Sequence, residues 1–501
     1  MELFANLALG LQTAISPANL LYCLIGCVLG TLVGVLPGLG PAATIAMLLP
    51  ATFSLDPTGS LIMLAGIFYG AQYGGSTTAI LINLPGETAS VVTTLDGYQM
   101  ARQGRAGLAL STAALGSFFA GTVATLAIAT FAPFLGKAAL KFGPPEYFSL
   151  IVLGLVASVT LSSGSLVKSL GMVVIGLVCG LVGPDRGSTE LRFTFGVPEL
   201  GDGLNVVAVA MGMFGVGEII DNLRKGDEKR TAVKVPFRNL WPRWSDIRAM
   251  APAVVRGTML GGLLGLLPGG GAMMSSFAAY ALEKKVAKDG SRFGKGALEG
   301  VAAPEAANNA GSQMSFVPLL TLGIPSNVTM ALMAGAMLMQ GIQPGPTVIQ
   351  EQPVLFWGLI ASMWIGNLML VILNLPLIGI WVKLLTVPYK YLYLVILVFC
   401  CIGVYSLNNS TFDVFVMVCF GLLGCVVRSL GGEPAPLIMG MVLGPMMEEY
   451  LRRSMQISRG DPMVFIDRPI SAALLAATVL CMAMLLLPSI RRRKDAALQE
   501  S

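Results

Sequence analysis

Apolar runs near 20 residues recur along the chain, parted by short polar or glycine–proline breaks. As helices such runs cross the roughly 30 Å hydrocarbon layer of a membrane. Within the first run glycine falls every fourth residue, at Gly26, Gly30, Gly34 and Gly38, and the run ends in an LPGLG break holding Pro37 and Gly40. The pattern returns 231 residues later as Gly257, Gly261, Gly265 and Gly269, ending in LPGGG with Pro268 and Gly271. Of the fifteen positions from 26 to 40, nine are identical in the copy, six of them glycine or proline. Glycine makes up 60 of 501 residues, so one match means little. A whole ladder in register, closed by the same break, marks a duplicated unit.

The arms around each break read as short. Residues 20–36 give about 25 Å of helix, and 42–49 give less, so a re-entrant hairpin turning at the break is expected in each half. No Lys or Arg lies between Met1 and Met100, whereas Arg224, Lys225, Lys229 and Arg230 precede the second ladder and Lys284, Lys285 and Lys288 follow it. By the positive-inside rule the first hairpin enters from outside and the second from the cytoplasm, the pattern of an inverted repeat.

A second interrupted segment follows each hairpin. Tyr69-Gly-Ala-Gln-Tyr-Gly-Gly-Ser-Thr-Thr78 and Asn83-Leu-Pro-Gly-Glu87 break one; Pro304-Glu-Ala-Ala-Asn-Asn-Ala-Gly-Ser-Gln313 and Gly323-Ile-Pro-Ser-Asn327 break the other. Further helices are expected near 107–133, 147–162, 165–183 and 203–220, then 354–382, 391–406, 412–427 and 470–488, with 431–469 either a crossing or a partial return. The expected fold is an all-α polytopic membrane protein of two inverted repeats with about 11 crossings. Its parts are 1–220, a basic cytoplasmic connector 221–252, a second repeat 253–490 and a cytoplasmic tail 491–501. Lys137, Lys141, Arg452 and Arg453 resist this scheme, because they fall in loops assigned to the outside.

Composition agrees with a membrane protein: 55% apolar, 12% charged and a mean hydropathy of +0.76, where soluble proteins carry about 25% charged residues. The net charge of +5 is scattered over loops, as topology signals and lipid contacts are, and not gathered as for nucleic acid. The eight cysteines lie in apolar segments and histidine is absent, so packing thiols are expected and no metal centre. The N-terminus lacks a basic n-region, and no cleavage is expected there.

Non-helical backbone at membrane depth persists only where it is buried in protein or lines a watery cavity. Paired breaks therefore point to a central site. Helix N-termini at Pro37, Gly38, Gly40 and Pro268, Gly269, Gly270, Gly271 would present free N–H groups to an anion such as a carboxylate. Thr44 and Ser275, at matching positions past each break, either contact substrate or bond back to their own helix. Gly75, Ser76, Thr77, Thr78 and Ser326 complete the expected substrate contacts. Asn308, Asn309, Ser312 and Asn327 supply neutral oxygens for an ion, and Glu87 and Glu305 are acidic residues at depth with a charged role. Asp96 and Glu299 read as loop or interface residues. No zinc-protease, nucleophile-elbow or Walker motif is present, and Gly38-Leu-Gly40 lacks the βαβ frame of a dinucleotide site, so no enzyme is expected. A passive channel and a structural subunit are the other classes.

Gly34-Val-Leu-Pro-Gly-Leu-Gly-Pro41, the Tyr69–Thr78 stretch, Leu84-Pro-Gly-Glu87, Gly300-Val-Ala-Ala-Pro-Glu-Ala-Ala-Asn-Asn309 and Thr321-Leu-Gly-Ile-Pro325 strongly resemble the large membrane subunit (TctA) of the tripartite tricarboxylate transporter family. The likeness runs from about residue 20 to 450. Ser312-Gln-Met-Ser315 is more polar than the family's small-residue run. The resemblance implies a bacterial inner-membrane secondary transporter acting with a small four-helix membrane subunit. It also implies a periplasmic solute-binding protein that delivers a small organic carboxylate. No cofactor is implied; the coupling ion is Na⁺ by the family's preference, with H⁺ the alternative.

Overall fold

The computed structural model describes residues 2–36, 40–161, 165–185, 187–188, 190–225, 240–267, 271–385 and 389–486. Among these the regular secondary structure is helical apart from one two-stranded ribbon pairing Gly183 with Arg192 and Pro184 with Leu191. The expected hairpin-tip residues Pro37, Gly38, Pro268, Gly269 and Gly270, residues 226–239 of the basic connector and the C-terminal tail lie outside the described residues.

Three early helices start the same way. Pro17–Gly34 follows Ser16, Pro41–Thr52 follows Gly40, and Pro57–Ile82 follows Asp56. Proline is tolerated at the first helical position because its missing N–H would have had no partner there. The Asp56 carboxylate accepts the Gly59 N–H at 2.9 Å, filling one of the open donors of the first turn.

The ladder glycines serve helix contact. A Cβ on Gly26, Gly30 or Gly34 would strike the carbonyl oxygen of Met63, Ile67 or Ala71 in Pro57–Ile82. A Cβ on Gly257, Gly261 or Gly265, in Trp244–Gly265, would strike that of Ala303, Ala307 or Gly311 in Glu299–Met314. The contact repeats every four residues in both pairs. In the first pair the glycines are reciprocal: on Gly70 a Cβ would lie 2.6 Å from the Cys27 oxygen, and on Gly74 2.7 Å from that of Thr31. Without water to drive burial, close backbone approach is what holds such helices together.

This packing overturns one expectation. The Tyr69–Thr78 stretch is not a break; it is the middle of a continuous 26-residue helix. Its glycines leave room for the ladder helix, and Ser76, Thr77 and Thr78 donate back to the carbonyls of Gln72, Tyr73 and Gly74 at 3.1, 3.3 and 2.9 Å. Asn308 and Asn309 are likewise helical. The true breaks come later and match each other. Asn83 (φ 58°) and Gly323 (φ 71°) end their helices in the left-handed conformation; proline follows two residues on in each, and Glu87 and Asn327 are both extended. Asn and Gly are the residues that enter that conformation readily.

Other lengths differ from expectation. The first ladder arm begins at Pro17, and its 18 residues are long and apolar enough to cross a membrane; only the return arm, Pro41–Thr52, is short at 12 residues. Residues 354–382 divide into Pro353–Asn374 and Ile378–Leu385 around Pro376. Residues 431–469 contain a 23-residue helix, Ala435–Ile457, against which Gly176 of Leu166–Gly180 packs at the Leu437 carbonyl. Among the described residues four helical stretches have the length and composition to span: Pro17–Gly34, Thr88–Ala139, Pro353–Asn374 and Thr411–Ser429. Shorter apolar helices such as Leu166–Gly180 accompany them.

The arginines that resisted the topology scheme are paired locally. Arg452 meets Asp185 at 2.9 Å and Glu448 at 2.8 Å, Arg192 meets Glu448 at 2.9 Å, and Arg453 meets Glu449 at 2.6 Å. The Gly187 N–H, then the guanidinium groups of Arg452 and Arg192, hold the Asp185 carboxyl below the usual aspartate range. A depressed folded value stabilises above the unfolded value of about 3.9 and is lost as pH falls through the folded one. Proteolysis of the 183–192 ribbon is therefore expected to stay slow at neutral pH and to accelerate only below about pH 4.

Candidate functional site

Where the two ladder-and-partner pairs meet, polar side chains are buried that an apolar core does not need. Gln72, Ser76, Glu305, Asn308, Asn309 and Ser312 are all nearly inaccessible, and each comes from a helix whose neighbours are small or apolar. Glu305 accepts from Ser76 Oγ at 2.6 Å through Oε2 and from Thr93 Oγ1 through Oε1. Glu87, in the link after the first break, accepts from Asn308 Nδ2 at 2.9 Å. Gln72 reaches Ser312 Oγ at 2.5 Å. With its amide turned over, Nε2 donates to Glu87 Oε1 at 2.6 Å and Oε1 faces Ser312 Oγ, whose single hydrogen is shared between it and the Asn308 carbonyl. Gln72 and Ser312 are 240 positions apart, the same separation as Met63 and Ala303, or Asn83 and Gly323. Matching positions of the two halves thus touch each other here.

Gly75 shapes this centre. A Cβ there would lie 3.0 Å from Glu87 Cγ, and the Gly86 N–H donates to the Gly75 carbonyl at 3.4 Å. The glycine lets the link lie against the helix so that Glu87 faces Gln72 and Asn308. Among the described residues neither Glu87 nor Glu305 has an ion pair, whereas Glu283, equally buried, is held by Arg256 at 2.6 Å. The two carboxyl groups rest on neutral hydroxyl and amide donors alone.

Of the other expected contacts, Thr44 and Ser275 take the same alternative: their hydroxyls donate to Gly40 and Gly271 carbonyls at 3.0 and 2.7 Å, one turn back. Ser275 Oγ also stands where a Cβ on Gly311 would be, 2.7 Å away. A Cβ on Gly40, at the start of Pro41–Thr52, would meet no atom of the described residues within 4 Å. Ser326 donates to the Ser315 carbonyl at 3.3 Å, and Asn327 caps its helix by accepting the Met330 N–H at 3.0 Å. Asn309 Nδ2 donates to Ser117 Oγ at 2.6 Å.

Thr93, Ser117, Tyr73 and Asn374 belong to this region and were not expected. Asn367 and Asn374 lie seven residues apart in an otherwise apolar helix, hence on one face, which was the available signal. Asp96 is fully buried and accepts from the Gly296 and Ala297 N–H groups at 2.8 and 2.7 Å and from Tyr280 Oη at 2.9 Å. It clamps the loop before Glu299–Met314 to Val91–Met100. Asp96→Ala leaves two buried N–H groups without an acceptor and is expected to cost about 2 kcal/mol, read as a lower unfolding temperature in detergent.

A family model, the tripartite tricarboxylate transporter TctA family, matches residues 20–439. The chain belongs to this family. It is therefore the membrane component of a tripartite tricarboxylate transporter and not an enzyme. An uncharacterized 52.8 kDa protein in the TAR-I ttuC' 3'region of Agrobacterium vitis is 59% identical over 495 residues, 99% of this chain and 98% of that protein. A second uncharacterized protein from the same organism, in the TAR-II ttuC' 3'region, is 59% identical over 235 residues, 47% of this chain and 97% of its own. No solved structure matches.

Proposed function

We propose that this TctA chain is the transporting subunit of an ion-gradient-driven importer of small organic carboxylates in a bacterial inner membrane. A periplasmic solute-binding protein delivers the carboxylate, and a small four-helix membrane subunit completes the complex. The two halves are inverted repeats, with the N-terminus periplasmic, the C-terminal tail cytoplasmic and the hairpins entering from opposite faces. Substrate rests between the tips at Pro37–Gly40 and Pro268–Gly271. The N-termini of Pro41–Thr52 and Gly271–Val286 offer open N–H groups to its negative charge.

The observation that carries this reading is the buried polar centre joining the halves, in which Gln72 meets its counterpart Ser312 and two carboxyl groups lie without a cationic partner among the described residues. Such a centre is costly in a membrane and marks a solute or ion path. In vesicles holding the three-component complex, labelled di- and tricarboxylates are expected to accumulate above the outside concentration. That accumulation should disappear when ionophores collapse the Na⁺ and H⁺ gradients. Equilibration that ignores the gradients would make the chain a channel, and no flux at all would make it a structural subunit. Single cysteines at 38 and 269 in a cysteine-free chain should label from opposite sides; labelling from one side would end the inverted arrangement.

A further inference from the structure

Beside Glu305 lies a small cavity walled by four helices: Pro57–Ile82, Ala106–Ala139, Glu299–Met314 and Pro353–Asn374. It has room for little more than one water-sized sphere. Its polar lining is Tyr73, Ser76, Thr77, Ser117, Glu305 and Asn374. All six are more than nine-tenths buried, and two have polar atoms with no partner, Tyr73 Oη and Asn374 Oδ1.

The direction of the hydrogen bonds decides what this cavity accepts. Asn374 Nδ2 donates to the Leu370 carbonyl at 3.0 Å, which leaves the amide oxygen as its free end. The Ser76 hydroxyl hydrogen is directed to Glu305 or to the Gln72 carbonyl, that of Thr77 to the Tyr73 carbonyl, and that of Ser117 to the Glu305 carbonyl. What remains free is the Asn374 amide oxygen and the Tyr73 hydroxyl, whose oxygen keeps its lone pairs while its hydrogen can turn aside, around one carboxylate that has no Lys or Arg ion pair among the described residues. The other ionisable groups near Glu305 are Tyr73 itself and Glu87; Asp96, on the helix of Thr93, is occupied by Tyr280 and two N–H groups. Only the Tyr73 O–H is a free hydroxyl donor here, beside the Glu305 carboxylate and the Asn374 amide oxygen, and the rest of the wall is Ile80, Leu110, Ala113 and Ala114, so an anion finds too few donors to offset the carboxylate. A small hard cation is held by such a set of neutral oxygens around one carboxylate, and one negative charge is balanced by one positive charge.

We propose that this cavity is a Na⁺ site, with Glu305, Asn374 Oδ1, Tyr73 Oη and the Ser76 and Ser117 oxygens as its ligands. As the coupling site it rests on the proposed import, but the site itself is testable without any carboxylate. The purified full-length chain, in detergent and free of substrate, is titrated with ²²Na⁺. Saturable binding of one ion per chain is expected, displaced by unlabelled Na⁺ and far less by K⁺. Asn374→Leu and Tyr73→Phe each remove one oxygen with little change of shape and should weaken binding on the order of tenfold, and Glu305→Gln should abolish it. Unfolding temperatures identify any variant that has misfolded, and the Tyr73→Phe result stands even if Glu305→Gln does not fold. No saturable binding by the wild-type chain, or unchanged affinity in folded Asn374→Leu and Tyr73→Phe proteins, would overturn the site. Proton-driven carboxylate uptake without ²²Na⁺ binding would do so while leaving the importer reading intact. Binding that follows the expected pattern without carboxylate uptake would support the site and overturn the importer.

Discussion

Gly30→Leu and Gly261→Leu are expected to destabilise the protein by about 3 kcal/mol or more each, seen as a lower unfolding temperature and less folded protein in the membrane. The reason is the identity of the colliding atom. At both positions the first atom a side chain would meet is a main-chain carbonyl oxygen, that of Ile67 or of Ala307. A flexible side chain can turn aside, but a carbonyl in a helix moves only with its helix. Parting the helices then breaks the neighbouring glycine contacts one turn above and below, at Gly26 and Gly34 or at Gly257 and Gly265. Gly335 is the control: it lies in Val328–Met339 with nothing within 4 Å of a Cβ, so Gly335→Ala should be neutral or stabilising by up to about 1 kcal/mol. Equal losses at Gly30, Gly261 and Gly335 would mean that helix propensity, and not close approach, explains the ladder.

The ladder was legible because a four-residue glycine spacing is the spacing of one helix face, and its role in helix contact follows from that alone. The same logic extends to Gly70 and Gly74, where a run of small and amide-bearing residues in an apolar helix suggested a break instead. In an apolar setting the hydroxyls return to the carbonyls one turn back and the glycines admit a neighbouring helix, so the helix continues. The real breaks were signalled by Pro85 and Pro325 and were placed correctly at Asn83–Glu87 and Gly323–Asn327. Glu87 and Glu305 stood out as acidic residues in apolar surroundings. Their partners did not, because the pairing of Ser76 with Glu305 or Gln72 with Ser312 joins positions more than 200 residues apart, and no local spacing encodes it. Asn374 is an intermediate case: its spacing from Asn367 marks one helix face, but only the cavity beside Glu305 gives that face a meaning.

Asn308→Ala is expected to lower carboxylate uptake at least about a hundredfold, equivalent to some 2.7 kcal/mol, while the protein still inserts and folds. Asn308 makes one of the hydrogen bonds to a carboxyl group that tie the halves: its Nδ2 donates to Glu87, and its main-chain oxygen accepts from Ser312 at 2.8 Å. Removing the amide leaves the main-chain bond intact, so the helix is kept, but Glu87 loses a donor in a place where no Lys or Arg among the described residues is paired with it. A buried acceptor deprived of its partner costs about 1–3 kcal/mol, more when charged. The link carrying Glu87 would relieve that cost by moving away from Gly75, opening the centre between the halves. The Glu87→Leu and Asn308→Ala changes should therefore be strongly non-additive, because either one alone dissolves the same contact. Uptake by the double variant close to that of the worse single variant is the expected result. Two losses that simply multiply, or a folded Asn308→Ala protein that transports like wild type, would show that this contact has no part in moving the substrate.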